Sequence, residues 1–394
     1  KDLRTGKPIW LARRRPPVET HRLTRDVKCG VLIVGAGISG AIIAEALTAE
    51  GLSIVIADRR GPLLGSTPAS TALLQYELDT PLSQLADRVG RSNAERIWRR
   101  SRLAVDALRE RSRFLDIDAA RESRDTLYLS GNMLSPQGLQ QEAEARRHAG
   151  FQAEYLTQAA MKERYGIGGR AALLSFDNFA ADPVRLAAGF LNAAIARKAK
   201  LYAPVEITDV ECAASGVTAH SKSGPAIRCD RLIFATGYEM PKGVPHKGHK
   251  ITSTWVIATR PQKRSIWPGA CFIWEAADPY LYIRTSPDGH VICGGEDEDI
   301  EDEAERDAKL PAKTATLERK LGKLLPNIDA AAAFAWCGSF GTSSTSAPTV
   351  GPVPKMPNCY AAMGYGGNGI TFSMMAGQIL SGLISGRGDA DSDL

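Results

Sequence analysis

Residues Val31 to Asp58 read VLIVGAGISGAIIAEALTAEGLSIVIAD, and this stretch decides the fold. An apolar run ends in Gly35, Gly37 and Gly40, spaced G-x-G-x-x-G. A helical segment follows, and a second apolar run, Leu52 to Ala57, ends on Asp58. Each part has a physical job in holding a dinucleotide. Gly35 permits a tight strand-to-helix turn, Gly37 keeps a Cβ out of the path of a pyrophosphate, and Gly40 lets the helix pack close to the sheet. The helix N-terminus points its free N–H groups at the phosphates. Asp58 stands about 20 residues on, where a carboxylate accepts hydrogen bonds from a ribose. The alternative, a glycine-rich membrane helix, fails because the run before Glu45 is too short to cross a bilayer.

Working outward, Arg59-Arg60 and the loop Gly65-Ser66-Thr67-Pro68-Ala69-Ser70-Thr71 follow the acid. Small hydroxyls beside two guanidinium groups suit further phosphate and ribose contacts; a plain Ser/Thr loop is the alternative. Arg231 to Tyr238 (RLIFATGY) reads as a buried strand ending in Ala235-Thr236-Gly237. A strand ending this way lies beside the cofactor in FAD-binding Rossmann proteins, and an NAD dehydrogenase has no need of it. A second glycine-rich loop, Gly364-Tyr365-Gly366-Gly367-Asn368-Gly369-Ile370-Thr371, opens a terminal helix. Its N–H groups and helix dipole suit negative charge on a reduced isoalloxazine ring.

Between these lies a second sheet. Ile251–Arg260, Cys271–Trp274, Pro279–Thr285 and His290–Gly295 read as antiparallel strands, with a hairpin turn at Pro287-Asp288-Gly289. Alternation puts Tyr280, Tyr282 and Arg284 on one face and Leu281 and Ile283 on the other. That face is either a clamp for a substrate carboxylate or a solvent-facing edge with Arg284 in a surface ion pair. The acidic run Glu296 to Glu303 lacks the glycine and spacing of a calcium loop and reads as the leader of a helix, Glu303 to Leu324, so no metal is expected. Thr80 to Asp118 is helical with many arginines, read as a solvated face. Asp182-Pro183 starts another helix.

The 394 residues suit two domains, and 44% hydrophobic with 24% charged residues is ordinary for a globular protein. The net charge of +5 is small, and the basic arm (Arg13 to Arg15, Arg22, Arg25, Lys28) reads as a solvated lead-in without nucleic acid. Seven scattered cysteines with no C-x-x-C suggest reduced thiols. With no signal-peptide pattern, a cytoplasmic location is expected, without a transmembrane segment.

With these stretches placed, the sequence resembles the D-amino-acid oxidase family of FAD-dependent oxidoreductases, which includes glycine oxidase, sarcosine oxidase and D-amino-acid dehydrogenase. The resemblance rests on VLIVGAGISG, GSTPASTALLQYE, ADPVRL, RLIFATGYE, VGPVP and GYGGNGITFS, in that order along the chain. It implies an α/β fold: a Rossmann-like FAD domain interleaved with an α+β substrate domain on a large mixed sheet. The FAD domain is expected over 28–85, 183–245 and 340–394, the substrate domain over 86–182 and 246–339, with 1–27 an arm. By motif, Gly35, Gly37, Ile38, Ser39, Asp58 and Arg59 would hold the ADP half, and Ser66, Thr67, Ser70 and Thr71 phosphate and flavin. Val205 fits the adenine side, Ala235, Thr236 and Gly237 the pyrophosphate, and Gly364, Gly367, Gly369, Ile370 and Thr371 the ring.

The implied chemistry is oxidation of the C–N bond of an amine or amino acid (a D-amino acid, glycine or an N-methyl amino acid) to an imine that water hydrolyses. Positioning dominates such a reaction, so the absence of a Ser/His/Asp set among six dispersed histidines is expected. The chain departs from the family at Ser343-Ser344-Thr345, where many members read Thr-Pro-Asp. Val291 to Gly295 lacks the lysine that helps sarcosine oxidases react with oxygen, and Thr371 replaces their substrate-binding lysine. Oxygen or another carrier is therefore the acceptor. Those enzymes attach flavin near Cys337, but the flanking residues differ, so FAD is expected to be non-covalent. Two rival readings are a hydroxy-acid dehydrogenase of the same fold and a flavin-binding subunit without turnover.

Overall fold

The computed structural model describes residues 2–245, 248–262, 266–343, 345–391 and 393. Its nucleotide side is built on a parallel core. Val27–Val34 pairs in parallel with Ile54–Ala57 on one side and Ala226–Phe234 on the other, and Cys359–Met363 and Lys200–Tyr202 extend the sheet at either end. Strands covered on both faces must be apolar on both, which is why VLIV and LIF are unbroken runs. Val31, Ile33 and Ile56 pack under the helices Ile38–Ala49, Pro183–Ala196 and Gly369–Ile384. Leu32, Val55 and Phe234 pack against the antiparallel pair Ile207–Ala213 and Gly216–Ser221. Asp182 caps its helix as expected, accepting from the N–H groups of Val184 and Arg185 at 2.9 and 3.0 Å.

The larger sheet runs in the order Arg4–Gly6, Ala332–Ser343, His249–Thr259, Val291–Glu298, Leu281–Thr285, Phe272–Glu275, Glu122–Leu129, Ala172–Ala180, Leu73–Leu74. Phe272–Glu275 pairs in parallel with Glu122–Leu129, so this sheet is mixed rather than antiparallel throughout. The turn at its predicted hairpin closes with Gly289 N donating to Ser286 O at 2.9 Å. The inner face, with Val256, Ala258, Ile292 and Trp336, shares one core with the nucleotide-side helices. The outer face, with Trp255, Ile257, Cys293 and Cys337, is covered by Leu317 and Leu321 of the helix Leu310–Leu324. The α/β class and the two mixed layers agree with the sequence.

Several local expectations are corrected. The helical stretch after Thr80 breaks at Gly90, whose φ of +81° is easy only for glycine, into Leu82–Val89 and Arg91–Phe114. The second helix buries Ile97, Trp98, Val105 and Leu108 in the core that the nucleotide-side helices share with the larger sheet. Its arginines are taken up by acids of the chain, as in Arg100–Asp389 at 2.9 Å and Arg102–Asp177 at 2.8 Å. The acidic run does not simply lead a helix: Glu296 to Glu298 complete a strand, and the helix starts at Glu303–Ala308. The N-terminal arm contributes an edge strand, and its buried Trp10 donates from Nε1 to Ser70 O at 2.7 Å. Ser344 lies outside the described residues. Among them, no helix is long and apolar enough to cross a membrane.

Candidate active site

Two glycines of the G-x-G-x-x-G turn have no room for side chains. A Cβ on Gly35, whose φ is +118°, would sit 2.3 Å from Ala235 O, and one on Gly40 would sit 1.9 Å from Gly35 O. Ile38 N–H, at the start of the helix, donates to Thr67 Oγ1 at 3.0 Å, which ties the first loop to the second. A long cleft opens over this turn, lined by Gly35, Gly37, Ile38, Ser39, Asp58, Arg59, Arg60, Ser66, Thr67, Val205, Ala235, Thr236 and Gly237.

Asp58 is in the cleft, but it is largely committed to the backbone. It accepts from the N–H groups of Ala36 (2.8 Å), Arg60 (2.8 Å) and Gly61 (2.9 Å). A carboxylate has about four acceptor sites, so the expected ribose contact is left with one. Arg59 and Arg60 both bond to Glu239, Arg60 at 2.8 and 2.9 Å. That bond holds the Arg60 guanidinium above its ordinary pKa.

Ile38, Ser39, Ser66, Thr67 and Gly237 also line a second cavity, of about 1140 Å³, so the two spaces adjoin. Its walls include Ser70, Thr71, Gly367, Gly369, Ile370 and Thr371 from the two loops, and Tyr280 and Tyr282 from the sheet. Gly364 is not on that wall. Its φ of +71° and the His249 ring, 2.2 Å from where a Cβ would be, give it a structural reason for being glycine.

Arg284 is on the predicted face but has a different task. It is fully buried, outside the cavity wall, and neither a carboxylate clamp nor a surface ion pair. Nη1 donates to the carbonyls of Thr71 (3.2 Å), Ala72 (2.7 Å) and Ala181 (2.9 Å), and Nε donates to Thr285 O (3.0 Å). Burial, then the nearby Arg124 charge, lowers its pKa to about 9. The residue anchors the cavity wall from behind. Cys337 faces away too: it belongs to the outer core, with Sγ 3.4 Å from Asp307 Oδ1. Among the described residues no cysteine lines the cavity.

Sequence reasoning missed two acids. Asp79 lines the cavity and accepts from Gly367 N at 2.9 Å, and burial raises its pKa. Asp297 lines it because of a β-bulge. Trp255 is opposite Gly295 and Ser253 is opposite Glu298, so Glu296 and Asp297 together face the single residue Thr254. Glu296 takes a φ of +60°, and the extra residue turns Asp297, instead of Glu296, toward the cavity. Burial raises the Asp297 pKa to about 7; the Asp79 charge adds to this, and the Thr254 and Tyr280 hydroxyls and Lys313 oppose it. The pair Gly294-Gly295 was the only sequence hint of the bulge. Burial also holds the Tyr280 and Tyr282 phenols well above their usual range, so both stay protonated donors. Tyr282 shares a 2.8 Å hydrogen bond with Thr254.

The adjoining pair of cavities fits a long two-part cofactor. An orphaned polar atom, the Tyr365 hydroxyl, lies on the inner wall. Comparison with known proteins agrees. A family model described as FAD dependent oxidoreductase matches residues 30–383. An oxidoreductase named OrdL from Haemophilus influenzae is 20% identical over 92% of this chain and 84% of its own. Gamma-glutamylputrescine oxidoreductase from Escherichia coli is 23% identical over 96% of this chain and 88% of its own. Glycine oxidase from Geobacillus kaustophilus has the same fold, with a TM-score of 0.73 at 20% identity over 92% of this chain and 96% of that one.

Proposed function

The chain belongs to the family of FAD-dependent oxidoreductases, and we propose that this FAD enzyme oxidises the C–N bond of a small amine or amino acid. The observation that carries the reading is the inner cavity, which adjoins the dinucleotide cleft and is walled by four phenols (Tyr238, Tyr280, Tyr282 and Tyr365) and two carboxylates. In this reading Gly35 and Gly37 would hold the ADP half of FAD, and Ser70, Thr71, Gly367 and Ile370 would hold the ring, without a covalent bond. Bound there, the flavin supplies a two-electron acceptor for hydride. The chain's own task is to orient a neutral amine and exclude water, and Tyr280 and Tyr282 are placed to position it. The imine then hydrolyses to a carbonyl compound and ammonia or an amine. Two of the relatives are named for amine-bearing compounds, glycine and gamma-glutamylputrescine.

The carboxylate-bearing wall disfavours a 2-hydroxy acid, which has a negative charge and no ammonium to offset it. Oxygen or a separate carrier takes the electrons, and the domain division expected from the sequence is retained as part of the proposal. The test is the visible spectrum during anaerobic addition of amines, amino acids and 2-hydroxy acids. Bleaching of the flavin bands by an amine-bearing class supports the reading; bleaching by hydroxy acids alone, or by nothing, refutes it. Readmitting air identifies the acceptor.

A further inference from the structure

Resting on that reading, we propose that the substrate is an aliphatic diamine or polyamine, with Asp297 receiving the reacting ammonium and Asp79 a second cationic group. A site for an α-amino acid needs a cation for the carboxylate. Among the described residues, no Lys, Arg or His lines the inner cavity, and the guanidinium of Arg284, on the same strand face as Tyr282, is spent on carbonyls behind the wall. The wall carries acids in its place.

Other features point to a cationic ligand. Asp297 Oδ1 is buried with no hydrogen-bond partner among the described residues, and so is Oε1 of Gln75, a side chain only 6% exposed. Both are acceptors, and a polyammonium chain is made of donors and short methylene spacers. The aromatic side chains Tyr280, Tyr282 and Trp274 on the wall supply apolar surface for the spacers. The β-bulge matters here, since without the extra residue Glu296 would take that face in place of Asp297.

The proton and electron balance closes. The substrate R–CH2–NH3+ gives a proton to the Asp297 carboxylate and becomes the neutral amine. A hydride leaves the α-carbon for the flavin, which leaves R–CH=NH2+, and water converts this to R–CHO and NH4+. Asp297 is suited to that proton because its pKa is raised to about 7. The groups that face it are Asp79, Tyr280, Tyr282 and Thr254, with Lys313 acting from the helix behind.

The experiment has two arms. In the first, FAD-loaded protein is mixed anaerobically with 1,4-diaminobutane, spermidine, glycine, D-alanine, sarcosine and lactate. The expected result is bleaching by the diamine or triamine at concentrations at least about tenfold below those of any amino acid. Bleaching by amino acids but not by diamines overturns the proposal and leaves C–N oxidation standing. Bleaching by lactate alone, or by nothing, overturns both. The second arm measures binding without turnover: 1,4-diaminobutane is titrated calorimetrically into the photoreduced protein, which cannot oxidise it. Asp297→Asn and Asp79→Asn should each weaken binding roughly 30-fold or more, the cost of removing one member of a desolvated charge pair. FAD content and circular dichroism show which variant is folded. Unchanged affinity in a folded variant overturns that acid's assignment.

Discussion

Replacing Arg284 with leucine separates two accounts of that residue. Its guanidinium bonds three carbonyls of other segments, those of Thr71, Ala72 and Ala181, and stacks 5.5 Å from the Trp10 ring centre. Ala72 and Ala181 are buried, so the substitution strands at least two buried acceptors at about 1–3 kcal/mol each. Losing a buried cation whose Nη2 has no partner among the described residues offsets part of this. A net loss of about 2–4 kcal/mol is expected, concentrated where Thr71 and Ala72 line the cavity. The assay is flavin fluorescence during heating, with the dissociation constant of FAD for reconstituted apoprotein. FAD should be released several degrees earlier and bind more weakly. Arg284→Lys should be intermediate, because an ammonium keeps the charge but not the planar fork. The reasoning fails if Arg284→Leu releases FAD at the wild-type temperature and loses only substrate binding, the signature of a carboxylate clamp.

Gly40→Ala should abolish FAD retention and lower the melting temperature, because its Cβ would stand 1.9 Å from Gly35 O, a backbone atom with nowhere to go; overpacking of this kind costs about 1–3 kcal/mol, and normal flavin content in the purified variant would contradict it. Gly294→Ala should leave FAD bound but impair substrate binding, since the new Cβ would meet the Tyr282 ring at 2.3 Å and drive the phenol off Thr254; anaerobic titration tests this, and a normal half-saturation concentration would count against a positioning role for Tyr282. Asp297 also predicts a pH effect. Its folded pKa of about 7 is above the ordinary 3.8, so the folded state holds a proton that the unfolded chain has released. This contribution is full below about pH 4 and is lost as pH rises through 7. The urea midpoint of apoprotein should therefore fall more between pH 5 and pH 8 in wild type than in Asp297→Asn, and equal slopes would refute the raised pKa.

What was legible in the sequence was local. The glycines at 35, 37 and 40, the unbroken apolar strands and the Asp182 cap each act within one turn or one strand, where spacing and residue type carry the information. Strand alternation also placed Arg284 on the correct face. It could not reveal that the facing groups are the carbonyls of Thr71 and Ala72, more than 200 residues away in the chain, because no local pattern encodes what lies opposite a face. The acidic run shows the same limit more sharply. Written out, Glu296, Asp297 and Glu298 look interchangeable, and a helix leader accounts for them all. In the fold Glu296 and Glu298 turn to Lys313, at 3.7 and 2.6 Å, while the bulge against Thr254 sends Asp297 to the cavity. One residue of register, set by how two strands pair, divides an ion-pair cluster from a cavity-lining acid with a perturbed pKa. The chemistry of this site therefore depends on pairings between distant segments, and the fold could be read without them.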